Sequence, residues 1–523
     1  MTNESYDAAL TYHEATKHSE ISIGTSPHYL DWNNRPSQFK EYQNLPSISL
    51  PRDFLHPKQN SLMAIAGQPG EERTDQIGIE ILAEILFFSA GLTRKMRIGT
   101  ELHYMRAASA TGALYPIELY VISGKIPGLE AGVYHFNPFH FSLVKVREGD
   151  YRPTLQDAGS KDSSSAPFTV ALTSIAWRNA WKYVARSYRH WFWDSGVIAA
   201  NLLATAQSIG LRVRLGLAFV DTEVDKLLAL QPKKEATVAL AVIGEGKHSN
   251  AGVASPPIRG LNLEISPLSR EEVDYPVIWD TNEASQLKTR SDVEGWKKNA
   301  PRKAEIFPGT PAFLLTKKSL DYAPALEQVI LQRGSTRRFA HRPISFENLS
   351  TILEVCSTHI PLDFLSDGQS LIDFYFIAND VEGLAPGSYF YNRTTSSVEQ
   401  LKLVQSRSMS GYLSLGQSLF SDASVVFFLM TRLNQVLQSL GNRGYRAAQF
   451  EAGVLAGKIY LAAYALGLGA SGSTFFDDAV TEFFSPHARD KSCMITVGVG
   501  VPAYKARPGR VNPQFGSKSV LTV

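Results

Sequence analysis

The feature that most constrains this 523-residue chain is an internal duplication. The stretch RSYRHWFWDSG (186–196) returns as RGYRAAQFEAG (443–453), so that Arg186, Tyr188, Arg189 and Gly196 recur as Arg443, Tyr445, Arg446 and Gly453, and Asp194 recurs as Glu451. Outward from this motif the correspondence continues: GLEAGVYHFNP (128–138) answers GLAPGSYFYNR (383–393), and ELYVIS (118–123) answers DFYFIA (373–378). IEILAEILFFSAG (79–91) shares the helical apolar spacing of FENLSTILEVCST (346–358), and ATVALAVIGEG (236–246) parallels SCMITVGVGVP (492–502). A chain of this length exceeds one ordinary core, so two domains of about 200 residues are expected.

Each half reads helix, loop, strand, turn, strand, a β-rich run, a long apolar helix and a final strand. That order predicts an α+β unit, a small mixed or antiparallel sheet covered by helices. The expected division is an N-terminal arm (1–60), a first domain (61–246), a linker rich in Pro, Ser and charge (247–320) and a second domain (321–523).

Composition narrows the function. With 44% hydrophobic and 20% charged residues the chain is globular. A formal net charge of +2 without a basic tail or stripe gives nucleic acid no footprint, so a small molecule or peptide is the expected partner. The polar start MTNESYDAALTYHEATKHSE lacks the apolar core of a secretion signal, and Cys356 and Cys493 stand far apart, so a cytoplasmic protein without disulfides is expected. The apolar run at 452–470 contains Lys458, and its twin at 195–211 carries Asn201, Thr205 and Gln207, so both read as buried core helices rather than membrane spans. GLGASG (467–472) spells GxGxxG but follows a long helix where a dinucleotide site needs a strand. The histidines show no i,i+4 metal pair, and no metal is assigned.

A duplication supplies its own control: what both halves keep serves the fold, and what only one half has is a candidate for chemistry. Three features are lopsided. QRGSTRRF (332–339) puts Arg333, Ser335 and Arg337 on one face if extended, two guanidinium groups flanking a hydroxyl, suited to a phosphate; the alternative is a solvated basic turn. SATGALYP (109–116) has small residues that admit a ligand to the backbone, or form a tight turn with Tyr115 packed inward. AWKYVARSYR carries Lys182 and Tyr183 where the other half has Ser439 and Leu440, a pair able to move protons, or an ordinary helix start.

Taken together, RGSTRRF, GALYPIELYVI, WKYVARSYRHWFWDSG, GLGASGSTFF and VGVGVPAYKARPGR resemble the nitroreductase superfamily, specifically its SagB-type dehydrogenases, which include the azoline oxidases. The resemblance covers nearly the whole chain as two tandem nitroreductase-like domains, an intrachain pseudo-dimer. It implies FMN as cofactor, held between the copies by Arg333, Ser335, Arg337, Lys505 and Arg507, with Gly469 and Ser471 of the GLGASGSTFF loop. Ser109, Thr111, Gly112 and Ala113 would reach over from the first half, and Lys182 and Tyr183 would act in catalysis. One intact flavin site and one degenerate site are expected. The implied activity is oxidation of a heterocycle, peptide or related natural-product intermediate, with biosynthetic partner proteins or a further homo-oligomer possible. The alternatives are an NAD(P)H-dependent nitro or quinone reductase and a flavin-binding scaffold without catalysis. The loop departs from the family, reading Ser-Ala-Thr-Gly where relatives often have Pro-Ser-Ala-Gly.

Overall fold

The computed structural model describes residue 3 and residues 5–53, 57–70, 77–98, 101–244, 255–301, 311–316 and 320–505. Each half builds a seven-stranded sheet. Edge to edge, the first runs Ser47–Ser49, Ser142–Glu148, Gly132–Asn137, Ile117–Ser123, Phe168–Ile175, Glu235–Ile243, Val213–Gly216. The second runs Ala312–Leu314, Ser397–Leu403, Gly387–Asn392, Asp373–Ala378, Val425–Thr431, Ser492–Gly500, Gly469–Ser473, the same order of equivalent segments. Every pairing in both is antiparallel. The α+β expectation holds in both copies. Phe168–Ile175 and Val425–Thr431 are buried at every residue; the second is accordingly a nearly continuous apolar run, while the first admits only the small polar residues Thr169, Thr173 and Ser174.

The long helices Ser187–Ser208 and Arg443–Ala465 lie against each other between the sheets. Every residue of the second is buried, and the first leaves only Leu203 and Gln207 partly open, so both are apolar around most of their circumference. The 452–470 run falls within and just beyond the second helix, and no helix among the described residues is long and apolar enough to cross a membrane.

The repeated glycine makes this crossing possible. A Cβ on Gly196 would lie 2.6 Å from the carbonyl carbon of Gly453, and one on Gly453 would lie 2.7 Å from the carbonyl oxygens of Phe192 and Trp193. These are backbone atoms and cannot rotate away. Gly196→Ala is therefore expected to destabilise the chain by about 1–3 kcal/mol, through overpacking that outweighs the helix-propensity gain of about 1 kcal/mol. A denaturation midpoint at or above the parent's would contradict a glycine-dependent crossing.

The repeated arginines are reciprocal staples. Arg186 and Arg189 of the first half close on Asp477 of the second at 2.9 and 2.7 Å, while Arg443 and Arg446 of the second close on Asp221 of the first at 2.6 and 2.7 Å. All six side chains are buried. The N-terminal helix Asp7–Ala15 inserts Tyr12 edge-on between the repeated Tyr188 and Tyr445, with ring centroids 5.4 and 5.7 Å away. Between the halves, the helices Pro276–Ala284 and Arg290–Lys298 also join the interface. Ser285 accepts from Arg443 through its carbonyl and from Arg446 through its hydroxyl, and the Trp296 indole donates to the Leu440 carbonyl at 2.8 Å.

Candidate functional site

The segment after helix Leu326–Gln332 is extended at Arg333 and runs beside the edge strand Gly469–Ser473. Thr336 N–H donates to the Ala470 carbonyl at 2.8 Å, and a Cβ on Gly469 would fall 2.2 Å from Thr336 Oγ1. Gly469 thus makes room for the segment. Ser471, in the same strand, is buried and pairs with Gly498. The Tyr460 hydroxyl ties the layers together, lying 3.2 Å from Ser335 Oγ and accepting from the Gly472 N–H at 2.6 Å.

The two arginines of this segment have different surroundings. Arg333 is buried and turned into the other half, where Nε donates to the Ala107 carbonyl at 2.8 Å and an Nη donates to the Arg106 carbonyl at 3.0 Å. Arg337 is exposed, with its backbone N–H donating to the Tyr504 hydroxyl. Lys505 follows Tyr504 and is also exposed; Arg507 lies outside the described residues. Sequence reasoning missed Arg94, whose guanidinium lies 3.4 Å from where a Cβ on Gly334 would stand.

From the first half, the small-residue loop is locked by Asp194. Thr111 donates to Asp194 Oδ1 from both its N–H (2.9 Å) and its hydroxyl (2.7 Å). Glu451 repeats the device, accepting from the Leu371 N–H at 2.9 Å and the Ser370 hydroxyl at 2.5 Å. Both carboxylates therefore fasten the loop leading into their own half's central strand, which explains their recurrence. Burial raises the Asp194 carboxyl to about 7, against the pull of its Thr111 and Asn179 hydrogen bonds. Ser109 is half-buried beside Asp194, whereas Gly112 is exposed. Gly112, Ala113 and Tyr115 all adopt positive φ, of 63, 54 and 51°. Tyr115 packs inward.

Lys182 and Tyr183 end the helix Ala176–Tyr183, and Tyr183 faces this loop. A Cβ on Gly112 would come within 2.6 Å of the Tyr183 hydroxyl, and the Lys182 ammonium lies 5.3 Å from the Tyr183 ring centroid. Burial lowers the Lys182 pKa, and the Arg35 and Arg337 charges lower it further. Burial, then the Asp194 carboxylate, raises the Tyr183 phenol, with Arg337 opposing. Arg337 of one half and the Lys-Tyr pair of the other thus share one electrostatic neighbourhood.

The backbone beside this pair is strained. Val184 sits at φ 44°, ψ −139°, where the corresponding residue of the second half is Gly441 at φ 63°, ψ −160°. A β-branched residue there costs about 1–3 kcal/mol. The half carrying Lys182 and Tyr183 bears the strain, and the other half avoids it.

Other described features do not join the site. His190 is buried edge-on to Tyr183 with a ring-centroid distance of 4.6 Å, and burial holds it neutral. Among the described residues, no cluster of His, Cys, Asp and Glu could hold a metal ion.

The comparisons agree with this architecture. The nitroreductase family pattern matches residues 330–500. The trifolitoxin-processing protein TfxB of Rhizobium leguminosarum bv. trifolii is 30% identical over 200 residues, 36% of this chain and 53% of that protein, so the chain spans about half of that relative's length. A crystal structure of a nitroreductase-type protein from Anabaena variabilis superposes with a TM-score of 0.76 at 26% identity, covering 95% of this chain and all of the other. MJ1384 of Methanocaldococcus jannaschii, named for the nitroreductases, is 30% identical over 166 residues, 31% of this chain and 78% of its own length. With the duplicated seven-stranded fold, these similarities make the chain a member of the nitroreductase family, with two copies of the family's domain in one polypeptide.

Proposed function

We propose that the chain is an FMN-dependent oxidoreductase of the SagB type, oxidising an azoline-like ring or a related peptide intermediate in natural-product maturation. The observation that carries this reading is the Tyr183 hydroxyl beside the exposed backbone of Gly112, with Lys182 against the Tyr183 ring and both within the electrostatic reach of Arg337 from the other half. The likeness to a trifolitoxin-processing protein supports a peptide-derived substrate.

The residues present fit FMN. Arg337 and Lys505 offer exposed cations for the phosphate, with Arg94 nearby, and a side chain at Gly112 would fill the approach to Tyr183. Bound FMN supplies two-electron acceptance of a hydride. The chain's own part is proton transfer. The Lys182 amine, its pKa lowered by burial and by two guanidinium groups, takes the acidic ring proton, and the Tyr183 phenol stays protonated and donates a hydrogen bond. Asp194 keeps the loop in place through Thr111.

The test is flavin binding. The purified protein is expected to bind about one FMN per chain, because among the described residues the first half shows no counterpart of the Arg337 and Lys505 pair. Arg337→Ala should weaken FMN by about tenfold to a hundredfold, the equivalent of one charge-assisted contact of about 1.5–3 kcal/mol, with the fold intact. Arg333→Ala should instead lower stability, since its described contacts bind the halves together. Full FMN loading of the Arg337 variant would remove the cradle. Steady NAD(P)H consumption with nitro or quinone acceptors, and no oxidation of azolines, would establish the reductase alternative.

A further inference from the structure

On the opposite side of the helix crossing lies a second interface cavity of about 860 Å³, within the range of small-molecule sites. Counting along the two long helices, Leu203 and Gln207 on its wall occupy the positions of Tyr460 and Tyr464. The tyrosines of the first site pack their hydroxyls against Ser335 and Thr336, at 3.2 and 3.4 Å. The replacements here are shorter or more flexible, and space opens.

The cavity contains an unusual charge. Lys458 lines it, is 5% exposed, and makes its one described hydrogen bond to Thr358 Oγ1 at 2.7 Å. Its counterpart Asn201 is neutral and donates to the Phe88 carbonyl. No carboxylate among the described residues pairs with Lys458; its charged neighbour is Arg393, whose Nε and one Nη are buried without a hydrogen-bond partner. Burying an ammonium without a counter-charge costs several kcal/mol. Burial lowers the amine to about 8, with Cys356 opposing and Arg393 adding to the fall. The rest of the wall is balanced in fixed charge, two arginines against two aspartates, so Lys458 is the excess cation among the described lining residues. Arg212, Arg214 and His359 line it, with Asp162 beside Arg214 at 3.4 Å and the exposed Asp367 beside His359 at 3.2 Å. Leu203 and Leu461 supply apolar surface.

We propose that this cavity binds a small organic anion, its carboxylate or phosphate seated on Lys458 and its apolar body against Leu203 and Leu461. Such a ligand supplies the counter-charge that is missing among the described residues and uses the volume that the Leu203 and Gln207 positions leave open. It makes the second interface face a site of different specificity from the first, and the inference holds whether or not the first binds flavin.

The experiment is calorimetric titration of the full-length chain, saturated beforehand with FMN, using phenyl phosphate, benzoate and neutral benzyl alcohol as probes. One anion per chain is expected, with at least tenfold preference over benzyl alcohol; the better of the two anions identifies the headgroup. Lys458→Met, which keeps the side-chain volume and removes the charge, should lose at least tenfold in anion affinity with FMN content unchanged. Arg214→Gln, at the more exposed wall, should lose about threefold and covers the case in which the buried variant does not fold. Equal binding of anion and alcohol would overturn the proposal, as would unchanged anion affinity in the folded variants. A second FMN per chain that disappears in Lys458→Met would also overturn it, making the cavity a second flavin site.

Discussion

Asp477→Asn is expected to give the largest loss of stability of any single exchange considered. The variant keeps the side-chain shape but leaves Arg186 and Arg189 buried together without the carboxylate that both contact. Breaking a buried pair from one side costs about 3–5 kcal/mol, and here two cations lose one partner. Against a typical total of about 5–15 kcal/mol, this approaches unfolding. The reciprocal Asp221→Asn should behave alike, because Arg443 and Arg446 stand in the same relation to it. Urea midpoints measure both, and a loss below about 1 kcal/mol in either would mean that the staples hold nothing.

The same carboxylate predicts a pH dependence. The two guanidinium groups hold Asp477 well below the usual carboxylate range, although burial alone would raise it. A group whose pKa is depressed by folding stabilises the fold above its unfolded value, about 3.9, and loses that contribution as the pH falls towards the folded value. Acid should therefore loosen the contact between halves, and Asp477→Asn should flatten the fall in stability below about pH 4.

Much of the fold was legible because duplication repeats apolar periodicity. The strand runs and the two long helices could be aligned within one chain, and the shared glycine and arginines marked an element that serves the fold. What these residues touch was not legible. Residues that serve the fold within their own half and residues that staple the other half leave the same pattern in the sequence. The partners were nonetheless in view: Phe219, Asp221 and Val224 recur as Phe475, Asp477 and Val480. A pair of arginines and a matching aspartate, all kept by both copies, is the pattern of a reciprocal contact.

The site was legible only in outline. Comparing the halves singled out Lys182, Tyr183 and the 333–337 segment, and the fold brings Lys182 and Tyr183 close to Arg337. Comparison could not distinguish Arg333 from Arg337, since alternation gives both one face, whereas the neighbouring half turns Arg333 inward to two backbone carbonyls. Tyr460 and Tyr464 escaped notice because a buried apolar helix conceals two hydroxyls that act on a distant segment. Their replacement by Leu203 and Gln207 was the available signal. Val184 against Gly441 was another, a β-branched residue where the twin uses the one residue that accepts positive φ freely.

Lys182→Ala and Tyr183→Phe are expected to slow substrate oxidation by about a hundredfold or more while leaving FMN content nearly unchanged. That is the usual scale for losing a positioned acid or base. Both residues belong to the half that lacks Arg337 and Lys505, so their removal leaves the proposed phosphate contacts untouched. Lys182→Arg should fail as well, because a guanidinium keeps its proton and cannot act as the base, even though it preserves the charge beside Arg35 and Arg337. Asp194→Asn separates positioning from chemistry: its amide can still accept from Thr111, so the loop should remain in place and activity should fall far less than in Lys182→Ala. The readout is anaerobic bleaching of the flavin band by a thiazoline-containing peptide. If Lys182→Ala bleaches at the parent rate, the lysine is a helix-end residue, and the strained turn at Val184 serves only to join two helices.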